Sequence, residues 1–82
     1  MRAFSLIDLA SQADEVARYI AGWPRERILD WFEQQGEVMK IASPYDDSLY
    51  RFRSRQGVET GFRLTETGQL VIVGKHTTYQ PS

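Results

Sequence analysis

The chain has no cysteine, which excludes disulfide staples, a thiol nucleophile and a thiolate metal site, and fits a reducing compartment. It has one histidine, His76, and no grouping of serine, histidine and acid that would make a nucleophilic site. No glycine-rich loop precedes a helix, because Gly57, Gly61 and Gly68 fall in strands and hairpins. Long apolar runs are missing as well. The longest, Leu70 to Val73, is far short of the roughly 18 residues a membrane span needs, and the N-terminus lacks a basic region followed by an apolar stretch. Asp46 and Asp47 offer too few oxygen ligands for calcium or magnesium and read as turn residues. The expectation from these absences is a cytoplasmic, non-enzymatic protein with no cofactor, no metal and no membrane contact.

What remains has the balance of a folded globule: 41% hydrophobic, 26% charged and 12% aromatic residues in 82. That length suits one domain over residues 1–82, with ten aromatics supplying much of its core. The net charge of −1 hides an uneven layout. Residues 1–35 and 36–47 are each mildly acidic, whereas residues 48–63 hold Arg51, Arg53, Arg55 and Arg63 against Glu59 alone.

Hydrophobic spacing divides the chain at Gly36. Leu6, Leu9, Ala13, Val16, Ala17 and Ile20 recur at threes and fours, one helical stripe within residues 5–21. Ser5 with Asp8, and Ser11 with Asp14, each offer a hydroxyl cap with an acid three residues on, so this stretch forms either one helix or two short ones. Gly22-Trp23-Pro24 breaks the stripe, with Pro24 suited to a first helical position. A second helix to Gln35 then places Ile28, Trp31, Phe32 and Gln35 on one face, with Gly36 just past its end. Trp23 and Trp31 are expected to cement the helices onto a sheet.

After Gly36 the period becomes two. A strand from Glu37 to Ala42 is expected with Met39 and Ile41 on one side, followed by turn residues 43–47. Facing Arg55 with Glu59 aligns Phe52 with Phe62 and Tyr50 with Leu64, while facing Thr65 with Gln69, and Gly68 left-handed, aligns Leu64 with Leu70 and Phe62 with Ile72. The predicted fold is therefore α+β: an N-terminal helical pair, residues 5–35, on one face of a three- to four-stranded antiparallel meander, residues 37–75, with residues 76–82 as a tail.

The other face of that meander is the candidate site. It gathers Arg51, Arg53, Arg55, Arg63 and Lys75 with Val71 and Val73. In this register Arg51 sits opposite Arg63, a costly like-charge pair that an acidic partner would relieve. Arginine recognises carboxylate and phosphate alike through paired hydrogen bonds, so the face suits an acidic or mixed protein surface or a nucleic-acid backbone. Val71 and Val73 suit a homodimer equally well.

Two resemblances bear on this choice. In residues 11–53, Ala17, Gly22 and the apolar Val16, Ile20, Trp23, Ile28 and Trp31, followed by strands 37–41 and 49–52, resemble a winged helix-turn-helix. That implies DNA reading by the second helix, with Arg25, Arg27, Arg51 and Arg53 as contacts. That helix, however, offers Arg25, Glu26, Arg27, Asp30, Glu33 and Gln34 to solvent, an almost neutral set. The segments 50–53 and 70–76 look somewhat like the ends of small ribonuclease toxins, a likeness that implies Arg51, Arg53, Arg63 and His76 acting on phosphate, although the opening strand of those toxins is missing. The residues themselves favour a small bacterial or phage-type binding protein that regulates or inhibits a larger partner through the Arg and Val face. Nucleic-acid binding is the alternative, and a ribonuclease toxin the third reading.

Overall fold

The computed structural model describes residues 4–77, without the side chains of residues 75–77. Two helices, α1 (Ala13–Tyr19) and α2 (Arg25–Gln35), precede four strands, β1 (Gly36–Lys40), β2 (Leu49–Ser54), β3 (Val58–Leu64) and β4 (Leu70–Thr77). The strands form one antiparallel sheet in chain order, β1-β2-β3-β4, with the helices on one face, which is the α+β arrangement expected from the change of period at Gly36. No helix among the described residues is long and apolar enough to cross a membrane.

The lead-in is less helical than its stripe implies. Only 13–19 are regular helix, although backbone bonds from Gln12 to Asp8, Val16 to Gln12 and Ile20 to Val16 continue the same winding. The capping roles are also reversed. Asp8 accepts from the Ser11 amide and hydroxyl, while Gln12 accepts from the amides of Ile7 and Asp8 and donates to the Ser5 carbonyl. One glutamine thus satisfies three backbone groups, which favours an irregular, non-helical path for residues 5–8.

The helix α2 starts one residue later than the proline rule gives, with Pro24 as its extended N-cap. Ile28, Trp31 and Phe32 are buried as spaced, and Gln35 accepts from the Leu6 amide. Gly36 then turns straight into β1 with φ 177°, an extended conformation. Glycine is required there by proximity, since a Cβ would strike the Arg53 carbonyl and the Phe52 ring.

Both hairpins close with the same four-residue device. In Ser54-Arg55-Gln56-Gly57 and Thr65-Glu66-Thr67-Gly68 the glycine amide donates to the carbonyl of the first residue, and the hydroxyl of that residue accepts from the amide that follows the glycine. Each glycine is left-handed, φ 90° and 88°, as a three-residue hairpin loop with a bulge demands. Gly68 is doubly constrained because a Cβ there would also meet the Trp23 carbonyl at 2.5 Å.

The second hairpin has the expected register, Leu64 with Leu70 and Phe62 with Ile72. The first is shifted by two: Tyr50 faces Phe62, Phe52 faces Thr60 and Arg53 faces Glu59. A shift of two leaves every side chain on its expected face. In β1 the pairing decides which side meets the core. Val38 pairs with core-facing Phe52 and packs on the core, whereas Met39 pairs with Arg51 and is exposed. A further correction concerns the tail, because β4 continues through His76 to Thr77 after an irregularity at Val73, which has no Cα partner on β3. Residues 78–82 of the expected tail lie outside the described part.

The core joins Leu6, Leu9, Val16, Ile20, Ile28, Trp31 and Phe32 of the helical part to Tyr50, Phe52, Phe62 and Leu64 of the sheet. Phe32 is the joint, with its ring about 5 Å from Trp31, Phe52 and Phe62 alike. Trp31 is expected to cement helix to sheet, but its ring contacts are to Phe4, Tyr19 and Phe32, and it is Phe32 that carries the ring contacts to the sheet. Trp23 packs at the periphery, with the Arg27 guanidinium 4.2 Å above its ring.

Candidate binding face of the sheet

The face of the sheet away from the helices is built in three rows by the strand registers. Glu37, Arg53 and Glu59 form one; Met39, Arg51, Gly61 and Gly74 the next; Leu49, Arg63 and Val71 the third. The expected face therefore exists, with a different internal arrangement.

Arg51 stands opposite Gly61, not Arg63. The like-charge pair disappears with the two-residue register shift, and with it the argument that a partner must relieve it. Each arginine of the rows has a carboxylate instead. Arg53 lies 3.6 Å from both Glu37 and Glu59, a cross-strand ladder of alternating sign, and Arg51 reaches Glu59 at 4.0 Å. Arg63 donates from Nε to Asp46 at 2.8 Å.

Asp46 is a structural residue of the loop between β1 and β2. It accepts from the hydroxyl and the amide of Ser48 as well as from Arg63, and these bonds, the Ser48 hydroxyl foremost, hold its carboxyl at about 2, below its ordinary 3.8. Ser48 in turn accepts from the Leu64 amide through its carbonyl. The loop is thereby fastened to β3, in agreement with the reading of Asp46 as a turn residue.

Arg55 is not part of the face. It sits in the first hairpin loop and donates 2.7 Å to the Gln34 carbonyl in the last turn of α2, where a cation complements the negative end of the helix. The bulge interrupts the alternation that would group Lys75 with Val71 and Val73: the Cα partner of Lys75 is Thr60, and its side chain lies outside the described part. His76 pairs in register with Glu59, and its side chain is likewise outside.

The nucleic-acid set is divided by the sheet. Arg25 and Arg27 belong to α2 on the helical face, Arg51 and Arg53 to the opposite one. The structure thus does not assemble these four into one patch. Two features were missed by the sequence reading, the pairing of the arginines with Glu37, Glu59 and Asp46 and the exposure of Met39. Val38 and Phe52 carried the signal for the second, because once Phe52 is placed inward its partner must be too.

The open face exposes large apolar side chains, Val73 at 55%, Met39 at 45% and Val71 at 41%. Among the described residues no group of three or more His, Asp or Glu side chains could hold a metal ion. Chemically, the surface offers apolar contact around arginines whose charge is largely balanced. No family model matches the chain, and no curated protein or solved structure is significantly similar to it.

Proposed function

We propose that this protein is a small non-enzymatic binding module that docks a larger protein on the outer face of its sheet and thereby regulates or inhibits it. The observation that carries this reading is the combination on one open face of exposed Met39, Val71 and Val73 with arginines already paired to carboxylates. Protein interfaces have that mixture, with methionine and arginine enriched in them. A phosphate backbone, by contrast, is held by cations in excess, released from counterions on binding. The ion pairs at Arg51, Arg53 and Arg63 take support from the nucleic-acid reading, and so does the division of its contact set across the sheet. A cytoplasmic location belongs to the same proposal and is compatible with the absence of cysteine.

The test is capture from a host lysate by the wild-type chain and by a Val71→Arg, Val73→Arg variant, with and without nuclease, followed by binding of the purified captured protein over a salt series. A nuclease-resistant protein that binds directly, loses at least about tenfold in affinity with the variant and depends weakly on salt is the expected result. Nuclease-sensitive capture with a steep logarithmic salt slope moves the assignment to nucleic acid. Equal capture by both chains overturns the use of this face.

A further inference from the structure

Two glycines stand side by side in the middle row of the outer face, Gly61 on the inner strand β3 and Gly74 on the edge strand β4. Neither has a positive φ. A Cβ on Gly74 would meet nothing within 4 Å, and one on Gly61 only ordinary contacts, the nearest being the Gly74 carbonyl at 3.7 Å. Among the described residues nothing therefore requires glycine at either position, by conformation or by packing, although glycine inside a strand weakens it. Among the described residues, no side chain from these two positions covers the backbone there, and exposed Val71 and Val73 lie beside it on β4.

Glycines in sheets are commonly covered by an aromatic ring from the neighbouring strand. Here the neighbour of Gly61 is Arg51, and the described rows of this face contain no Phe, Tyr or Trp. Arg51 is also the least satisfied of the paired cations. Among the described residues its one ion pair is the 4.0 Å approach to Glu59, a carboxylate that Arg53 holds more closely at 3.6 Å, and its Nε is buried with no hydrogen-bond partner among them. No ion pair among the described residues engages its terminal nitrogens, which suit a second carboxylate.

We propose that Gly61 and Gly74 form a seat for an acidic and aromatic segment of the protein partner. The ring lies flat on the glycine backbone, and a neighbouring carboxylate meets the Arg51 guanidinium, which also approaches the edge or face of the ring. This inference rests on the outer-face reading and names the chemistry of its partner.

The probe is a library of random twelve-residue peptides displayed on phage and panned against the immobilised full-length chain. Recovered peptides are then measured against Gly61→Val, Gly74→Val, Arg51→Gln and Val71→Arg, each confirmed as folded by its thermal melt. The space around both glycines allows the valine variants to fold. The expected peptides carry an aromatic residue next to Asp or Glu, lose about tenfold or more in affinity with either valine variant and less with Arg51→Gln, and shift the Gly61 and Gly74 amide resonances most. Failure to recover binders, binders without that pattern, or unchanged affinity for both folded valine variants overturns the seat. Peptides indifferent to the valines but lost with Val71→Arg sink the seat and leave the outer-face reading standing. Peptides indifferent to all four variants sink both.

Discussion

An added methyl group does opposite things at Gly36 and Gly61. At Gly36 it collides with the Arg53 carbonyl at the point where α2 turns into β1. The backbone must move, so Gly36→Ala is expected to cost about 1–3 kcal/mol in denaturant unfolding. At Gly61 the space is open, and Gly61→Ala is expected to gain about 0.5–1 kcal/mol by restricting the unfolded chain. A gain in stability accompanied by a loss of partner binding would be the mark of a glycine kept for contact. Asp46 gives a pH prediction. Its folded carboxyl titrates at about 2 against an ordinary 3.8, so its contribution is complete above roughly pH 4 and disappears as the pH falls through 2. In melts between pH 2 and 5, Asp46→Asn should flatten the acid limb of the stability curve and be less stable than wild type mainly above pH 4. At this scale the sequence was informative about which side chains face outward and silent about what they touch. Period two places Arg51, Arg53 and Arg63 together, but their carboxylates come from β1, from across a hairpin and from a loop, separations that no local pattern encodes.

Among the elements, β1 shows how a short strand takes its facing from its neighbour and how that can be checked. Met39 and Ile41 are the more conspicuous apolar pair, yet the strand is too short to set its own facing, and pairing with Phe52 turns Val38 inward. Val38→Asp is expected to destabilise by about 1–3 kcal/mol, and Met39→Asp to change stability by no more than about 0.5 kcal/mol. Equal effects in urea melts would mean that the strand is the other way round. The hairpins carry the complementary lesson. Thr65 to Gly68 was legible because a glycine two residues beyond Glu66 invites a bulged three-residue loop, and the second register follows from it. Ser54 to Gly57 has the same hydroxyl and glycine spacing. Applied there, the same rule gives the observed pairing of Arg53 with Glu59 and releases Arg55 from the sheet face to the end of α2. Arg55→Ala should accordingly fray that last turn, seen as faster amide exchange at residues 33–36, while leaving the outer face unaltered.

For the molecule as a whole, the core and the proposed binding surface lie on opposite sides of one sheet. Phe32 joins both helical and strand layers, and Phe32→Ala is expected to cost about 3–5 kcal/mol, a large share of the roughly 5–15 kcal/mol that small proteins have. Substitutions at Met39, Val71 or Val73 should leave the melt almost unmoved, so lost binding in those variants can be assigned to the surface. The class of fold was readable because the hydrophobic period changes once, at Gly36; the shortness of α1 was not, because the Gln12 side chain competes there for backbone groups that a stripe of leucines cannot foresee. The chain order of the strands has a kinetic meaning too. Every strand pairs with its neighbour in sequence, so no segment must diffuse across the molecule before the sheet can grow, and hairpins formed on the microsecond scale can be added one to the next. Nascent chain leaving a ribosome from its N-terminus would hold a helical pair without its floor until β2 and β3 emerged, and the completed sheet would then close beneath it in the sequence in which it was made.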